Sequence, residues 1–353
     1  MSWFRRAQRA EGENRVVPAL AAPVAHVIGP GRLSLNSGRI VHEDEEGRTQ
    51  ATVLLEGLEL LACHGRVAID PSCLAALAEA NVSVAFMSAD GRKLLARVTS
   101  ESDPRLMGRV MQHRVLADPA LRSRLARAIV AEKIHSQAGA ARHYQRQGKA
   151  VAGEDLERLT DLEKRAAETR SVEEILGLEG AASVVWFGVF GRLLLNPWEF
   201  DRRTRRPPAD PVNSILSLGY TLLYHRVAAA CQAAGLETAL GALHAYRAGR
   251  LSLACDLMEP LRVPVVDRWV VGLLNQRRVT LDDFHAVDGE GVRLTKRAFP
   301  RVLADWERQW NESRTMSVVS DRVRAFLADV KDLSPGFKPL MRELEQNGIA
   351  ELA

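Results

Sequence analysis

An α+β architecture, with a small N-terminal β-rich domain followed by a larger all-α domain, is what this 353-residue sequence predicts. Three observations carry that reading. Between about Ala25 and Arg97 the apolar residues come in short runs separated by turn signals, the pattern of strands. Past Asp103-Pro104 their period lengthens to that of amphipathic helices. The composition, 46% hydrophobic and 26% charged, belongs to a globular chain long enough for two cores and excludes extensive disorder. Residues 1–24 read as a flexible tail, 25–103 as the β-rich domain, 104–335 as the helical domain and 336–353 as a peripheral C-terminal tail.

The opening stretch, MSWFRRAQRAEGENRVVPALAAPVA, has the arginines and alanine-rich end of a signal peptide. Glu11, Glu13 and Pro18 interrupt any apolar core, so it reads as a tail. The runs VAHVIG, RLSLNSGRIVHE, ATVLLEG, RVAI, VSVAFM and KLLARV follow as strands, broken at Pro30-Gly31, Ser37-Gly38, Glu46-Gly47, His64-Gly65 and Asp90-Gly91. Asp90-Gly91 between two apolar runs is a hairpin signal. Pro71–Ala80 interrupts them as one short helix. His26, His42 and His64 are isolated in sequence and are expected at surface or turn positions.

Arg105–Leu116 and Pro119–Gln147 open the helical part, with Leu121, Leu125, Ile129 and Ile134 near helical spacing. Arg122, Arg124, Arg127 and Lys133 are interspersed and read as a solvated face. The highly charged Gly148–Arg170 contains a further exposed helix after a loop. Ser171-Val172-Glu173-Glu174 then starts a helix, with an N-cap and an acidic first turn. Its Ala181–Gly191 section, AASVVWFGVFG, is shorter than the roughly eighteen apolar residues of a membrane span. It reads as a buried helix, and no membrane association is expected. Asp201–Asn213, DRRTRRPPADPVN, is the strongest basic loop, placing Arg202, Arg203, Arg205 and Arg206 ahead of two stiffening prolines. Its guanidinium forks suit phosphate; a solubilising loop is the alternative. Tyr220 and Tyr224 share one helical face as core residues, and His225 is structural. Asp267–Arg278 continues as a helix, a turn at Asp288-Gly289 follows, and the helices Phe299–Gln309 and Val318–Leu333 come last.

The most chemically loaded stretch is His244–Asp267, HAYRAGRLSLACDLMEPLRVPVVD. It sets one imidazole, the acids Asp256 and Glu259 at i and i+3, and Arg250 and Arg262 in an apolar segment. Inside a buried helix the acids would pair with those arginines; in a cleft they would hold a cation. Leu251, Leu253, Leu257 and Leu261 give the segment a buried face, and Pro260 pushes Glu259 toward a kink or helix end. A neutral imidazole with carboxylates suits Mg²⁺ or Mn²⁺ better than a structural zinc. Glu179 stands between glycines in an apolar run, where a carboxylate needs an arginine, hydrogen bonds or a metal. Cys63, Cys73, Cys231 and Cys255 show no zinc spacing and read as reduced, packed thiols of a cytoplasmic protein. The net charge of +4 permits polyanion binding without demonstrating it.

Leu243-His244, Ser252-Leu253, Asp256-Leu257-Met258-Glu259, Arg262 and Asp267 follow, in order, the signature of the CRISPR-associated integrase family, which this stretch resembles. Gly177-Leu178-Glu179-Gly180 is similar to that family's Gly-x-Glu-Gly segment. RRPPADPVNSILSLGYTLLYHRV is similar to its proline-rich turn and following helix, with Asp210, Asn213, Gly219 and Tyr220 matching. VSVAFMSADGRKLLARV is similar to part of its N-terminal β-domain, and the resemblance covers roughly residues 25–335. Trp186 stands where many members have tyrosine, and Glu259 where many have aspartate.

The resemblance implies a metal-dependent DNA endonuclease and integrase of antiviral defence. It would insert captured DNA as spacers into a CRISPR array by attack of a 3′-hydroxyl on the repeat phosphodiester. Glu179, His244 and Glu259 would be the catalytic ligands of Mg²⁺ or Mn²⁺, making the larger domain a metal-binding one. Asp256 would orient His244 or a metal-bound water from behind. Arg202, Arg203, Arg205, Arg206, Arg250 and Arg262 would contact DNA. A homodimer joined through the β-rich domain and a small ferredoxin-like CRISPR-associated partner are also implied. A related transposon-type integrase outside CRISPR immunity and a non-catalytic DNA-binding scaffold stand as alternatives.

Overall fold

The computed structural model describes residues 24–91, 93–98, 106–169, 171–205, 207–312 and 315–334. Arg206, the tail before residue 24, the Asp103-Pro104 junction and the tail 336–353 lie outside those residues. The fold is mixed α/β, β-rich toward the N-terminus and helical beyond it. Two compact units form. One takes in the described residues of Met1–Asp103, Asp283–His285 and Leu294–Ser313; the other takes in the rest.

The chain lays down β1 (Val24–Ile28), β2 (Gly31–Asn36), β3 (Arg39–Glu43), β4 (Thr49–Leu54), β5 (Leu60–His64), β6 (Val67–Ile69), α1 (Pro71–Glu79), β7 (Ser83–Met87) and β8 (Leu94–Val98). They make two four-stranded sheets, ordered β1-β5-β7-β8 and β4-β3-β2-β6. In the first, β1, β5 and β7 are parallel and β8 closes it antiparallel after the Asp90-Gly91 turn. In the second, Ser37 and Gly38 (φ 48° and 72°) make the two-residue turn between β2 and β3, the backbone that right-twisted hairpins favour. Leu33, Ile40, Leu61, Cys63, Leu77 and Val84 fill the core of this unit. All four cysteines are free, three of them buried, and burial pushes the Cys63 thiol up to about 12, as packed thiols require.

The helical unit contains α2 (Leu106–Ala117), α3 (Pro119–Arg146), α4 (Gly153–Glu168), α5 (Val172–Leu193), α6 (Pro211–Ala233), α7 (Ser252–Met258), a π-helical turn at Arg262–Asp267 and α8 (Arg268–Asn275). The hairpin β9 (Phe284–Val287) and β10 (Gly291–Leu294) follows, then α9 (Ala298–Glu312) and α10 (Thr315–Asp332). Ser171 caps α5 as its sequence predicts, its Oγ accepting from the Glu174 amide at 3.3 Å. α3, α4 and α5 pack on one another. α5 is long and apolar enough to cross a bilayer, yet Ile175, Ala182, Trp186, Val189 and Phe190 lie buried in the helical unit. The helix expected over Asp267–Arg278 begins instead with the π-helical turn. Pro264 has no N–H to give the α-helical ladder, and the turn widens around it.

The histidine expectation is overturned. His26, His42 and His64 are strand residues buried to 9%, 7% and 1% exposure. His26 joins Nδ1 to His64 Nε2 at 2.9 Å and Nε2 to Glu307 Oε1 at 3.0 Å. Glu307 lies on α9, which belongs to the β-rich unit despite its distance along the chain. His26 and His64, solitary in sequence, thus gain polar company in three dimensions, whereas the buried Nε2 of His42 has no hydrogen-bond partner among the described residues.

α3 positions the site described next, and its start is held by Asp118, whose Oδ1 accepts from the amides of Ala120 (2.8 Å) and Leu121 (3.1 Å). Asp118→Ala is expected to destabilise the protein by about 1 kcal/mol, the usual worth of an N-cap. Urea denaturation followed by circular dichroism measures it; an unchanged midpoint would mean α3 is set by packing alone.

Candidate active site

Every fourth residue along the middle of α3 is buried: Leu125, Ile129, Lys133, Gln137 and Ala141. That face carries Lys133, 3% exposed, into the helical unit. The solvated face expected for this lysine is therefore wrong: four-residue spacing places it among the core positions. Its Nζ is ion-paired with Glu179 Oε1 from α5 and lies 2.7 Å from Glu259 Oε2, just past α7. Ser183 Oγ, one helical turn after Glu179, donates to the same Oε1 at 3.2 Å. Arg262 Nη2 holds the other oxygen of Glu259 at 2.8 Å. Burial pushes the Glu259 carboxyl up, but Arg262, Lys133 and His244 outweigh it and hold the group at about 2. Pro260 does end α7 there, although Glu259 keeps helical dihedrals (φ −55°, ψ −50°).

His244 sits on the loop before α7, its side chain 29% exposed. Its Nδ1 lies 2.6 Å from Asp256 Oδ1, and its own amide donates to that oxygen at 3.0 Å. The Leu243 amide donates to Oδ2 at 2.9 Å. A carboxylate only accepts, so Nδ1 carries a proton, and in the neutral imidazole Nε2 keeps the lone pair. Asp256 is wholly buried and pairs with the histidine, not with Arg250. Gly241 permits this wrapping, because a Cβ there would come within 2.6 Å of Asp256 Oδ2 and 3.0 Å of the His244 carbonyl. Nothing in the sequence pattern singled out Gly241.

A second layer supports the first. The Arg262 guanidinium carbon lies 4.8 Å from the centre of the Tyr220 ring, and that of Arg203 lies 5.3 Å away. Tyr220 Oη donates to Asp267 Oδ1 at 2.5 Å and Trp186 Nε1 donates to Oδ2 at 2.7 Å. Burial lifts the Asp267 carboxyl to about 6 against the pull of those two donors. Trp186, the departure from the family's tyrosine, thus has its own polar partner.

The arginines divide. Arg203 is half-buried and donates to Asn213 Oδ1 (2.8 Å) and Ser217 Oγ (3.0 Å). Arg250 reaches Ser252 Oγ at 3.3 Å and the Ala245 carbonyl, and Arg262 serves Glu259. Arg202 and Arg205 are exposed.

Two carboxylates and an imidazole lone pair are a hard donor set that fits Mg²⁺ or Mn²⁺. Glu259 Oε2 is buried against a cation, the Lys133 ammonium 2.7 Å away, which is the kind of partner a metal ion would replace. Among the described residues no three His, Cys, Asp or Glu side chains stand ready to hold a metal as placed, and the Lys133 ammonium lies where the two acids converge.

A family model for CRISPR associated protein Cas1 matches residues 25–308. The chain is 38% identical over 261 residues to CRISPR-associated endonuclease Cas1 3 of Thermus thermophilus, spanning 73% of this chain and 75% of the relative. Solved structures share its fold. A CAS1 protein from Thermotoga maritima gives a TM-score of 0.78 at 22% identity, covering 88% of this chain and 97% of that one. A casposase bound to integration product gives 0.77 at 20%, over 88% and 91%. A Cas6-RT-Cas1–Cas2 complex gives 0.74 at 22%, over 91% and 36%.

Asp267 supplies a pH-dependent test of the second layer. Its folded value of about 6 lies above the ordinary 3.8. The folded state therefore binds its proton more tightly than the unfolded chain, and its contribution to stability falls as pH rises from about 4 to about 6. Trp186→Phe removes a donor to the charged form and raises the folded value further. The variant is expected to lose about 1.5–3 kcal/mol at pH 8, the worth of a hydrogen bond to a charged group, and less at pH 5. Urea denaturation at the two pH values measures the difference; equal losses would detach the indole from the carboxylate.

Proposed function

This chain belongs to the CRISPR-associated Cas1 family, and we propose that it is the metal-dependent endonuclease and integrase that inserts captured DNA as spacers into a CRISPR array. The observation that carries the chemistry is the meeting of Glu179 and Glu259 on one cation, with the His244–Asp256 pair beside them. Glu179, Glu259 and His244 Nε2 would hold Mg²⁺ or Mn²⁺, which when bound supplies a Lewis acid against the charge on phosphate and leaving oxygen. Asp256 fixes the tautomer and aim of His244. Arg262 and Lys133 keep Glu259 ionised through the whole physiological range. The 3′-hydroxyl oxygen of the incoming DNA attacks a repeat phosphorus, one P–O bond forming as another breaks. The departing 3′-oxygen takes up a proton as the attacking hydroxyl gives one up, and no covalent enzyme intermediate is required. Exposed Arg202 and Arg205 offer fixed forks to backbone phosphates.

The β-rich domain, residues 25–103, would pair two chains through open strand edges. β8 is one such edge, and its Leu95 is 59% exposed. A small ferredoxin-like CRISPR-associated protein is the further partner, a reading supported by the Cas1–Cas2 assembly of a structural neighbour. The place of work would be the cytoplasm, where both DNAs are found. The transposon-type alternative is not favoured: the casposase likeness is one of fold at 20% identity, whereas the 38% identical relative is a CRISPR-associated endonuclease.

Purified protein, with its partner, is expected to join a short 3′-hydroxyl duplex to a supercoiled repeat plasmid only with Mg²⁺ or Mn²⁺ present. His244→Ala should lower joining by about 100-fold or more while DNA affinity stays near wild type. Joining at the wild-type rate would sink this mechanism. Changing Arg202 and Arg205 to Ala together should weaken DNA binding and reduce the slope of log affinity against log salt by about 2. An unchanged slope would remove those two arginines from the DNA face.

A further inference from the structure

Resting on the metal reading above, we propose that Lys133 is the resident cation of the site. Its ammonium neutralises Glu179 and Glu259 while the site is metal-free, and moves to the side chain of Gln137 when a divalent ion takes its place.

Three observations place the exchange on these residues. Lys133 and Glu259 are each 3% exposed, so the ammonium occupies the interior point at which the two acids converge, rather than a surface position. One point between two carboxylates does not hold an ammonium and a divalent ion together, because like charges there repel with little water to screen them. The second observation is the division of Glu259. Oε1 is held by Arg262 at 2.8 Å, whereas Oε2 faces Lys133 at 2.7 Å. Arg262 can therefore stay while Lys133 leaves, and the released oxygen is the one that a metal would take.

The third observation is a destination. Gln137 is 1% exposed, and its Oε1 is buried with no hydrogen-bond partner. It stands four residues after Lys133 on the same buried face of α3, the spacing at which helical side chains meet. A lysine has a flexible four-carbon stem and three donors, so rotation of its side chain can carry the ammonium from the acids to that amide oxygen. A buried acceptor left without a donor is uncommon in a folded protein. This one is explained by a donor that visits it in the other state.

The full chain without DNA tests the exchange, with Mn²⁺ as the probe. Free Mn²⁺ is counted by electron paramagnetic resonance, and melting is followed in chelator and in Mn²⁺. Lys133→Met removes the competing charge, and is expected to bind Mn²⁺ at least about tenfold tighter than wild type, a factor usual for two coupled binding events. Its melting temperature should rise further on adding Mn²⁺ than that of the wild type does. Gln137→Leu removes the destination, and is expected to bind Mn²⁺ several-fold more weakly with no loss of metal-free stability. A folded Lys133→Met that binds Mn²⁺ no tighter than wild type overturns the exchange while leaving the metal site standing. If neither wild type nor Lys133→Met takes up Mn²⁺, the metal reading and the exchange fall together. Should Lys133→Met fold in Mn²⁺ but not in chelator, the exchange is supported. Should it fold in neither, Gln137→Leu decides, and unchanged Mn²⁺ binding by that variant overturns the proposal.

Discussion

Two carboxylates brought together repel each other, and the buried one, Glu259, also forfeits hydration, an effective penalty of several kcal/mol for a buried ion. The helical unit satisfies that constraint with positive charge from two directions: Lys133 between Glu179 and Glu259, and Arg262 on the far oxygen of Glu259. The register of α3 against α5 and α7 follows from this. A slip of one residue along α3 would turn Lys133 by about 100° and leave two acids facing each other across apolar side chains. The Asp118 cap and the run of buried positions from Leu125 to Ala141 fix the rotation at which this does not happen.

The constraint passes outward through Arg262. Its guanidinium lies over the Tyr220 ring, and the Tyr220 hydroxyl donates to Asp267, which also receives the Trp186 indole. Arg262 and Asp267 are five residues apart, and on an α-helix that separation would point them about 140° away from each other. The π-helical turn that contains both has a longer repeat, and so brings both onto Tyr220. Pro264, which looks in sequence like an interruption, is therefore part of how the arginine is aimed. Because Asp267 meets its partners only at the end of this turn, its environment bears on Glu259 at one remove, through the arginine and never by contact.

Much of this was legible in the sequence. The turn residues Ser37-Gly38 and Asp90-Gly91, the Ser171 cap and the change of period after Asp103 locate strands and helices by local chemistry. The ordered run from Leu243 to Asp267 marks the site. Partners contributed from afar were not legible. His26 and His64 looked solitary because Glu307 arrives on α9, from the far end of the chain. The loop Asp201–Asn213 reads as four equivalent arginines, yet Asn213 and Ser217 on α6 draw Arg203 inward while Arg202 and Arg205 stay in solvent. Lys133 is the instructive case. Its spacing from Ile129 and Gln137 places it on the buried face, whereas its charge points to the solvated one. A buried lysine is rare only when nothing pairs with it, and its two acids come from α5 and the turn after α7.

The same distinction explains why a site of this kind is built on α5. A helix apolar enough to suit a membrane here packs one face into the bundle, through Trp186, Val189 and Phe190. Glu179 is the polar exception on its site-facing side, steadied one turn later by Ser183. An acid mounted on so constrained a helix keeps its position to a tolerance that a surface loop would not. His244 is the one member of the set on a loop, and the loop is tied down in turn: the amides of Leu243 and His244 and the imidazole Nδ1 all meet the carboxylate of Asp256, itself on α7. Precision at the histidine is thus borrowed from the helix that delivers Glu259. Gly241 is what lets the loop come close enough, since any side chain there would meet the carboxylate first.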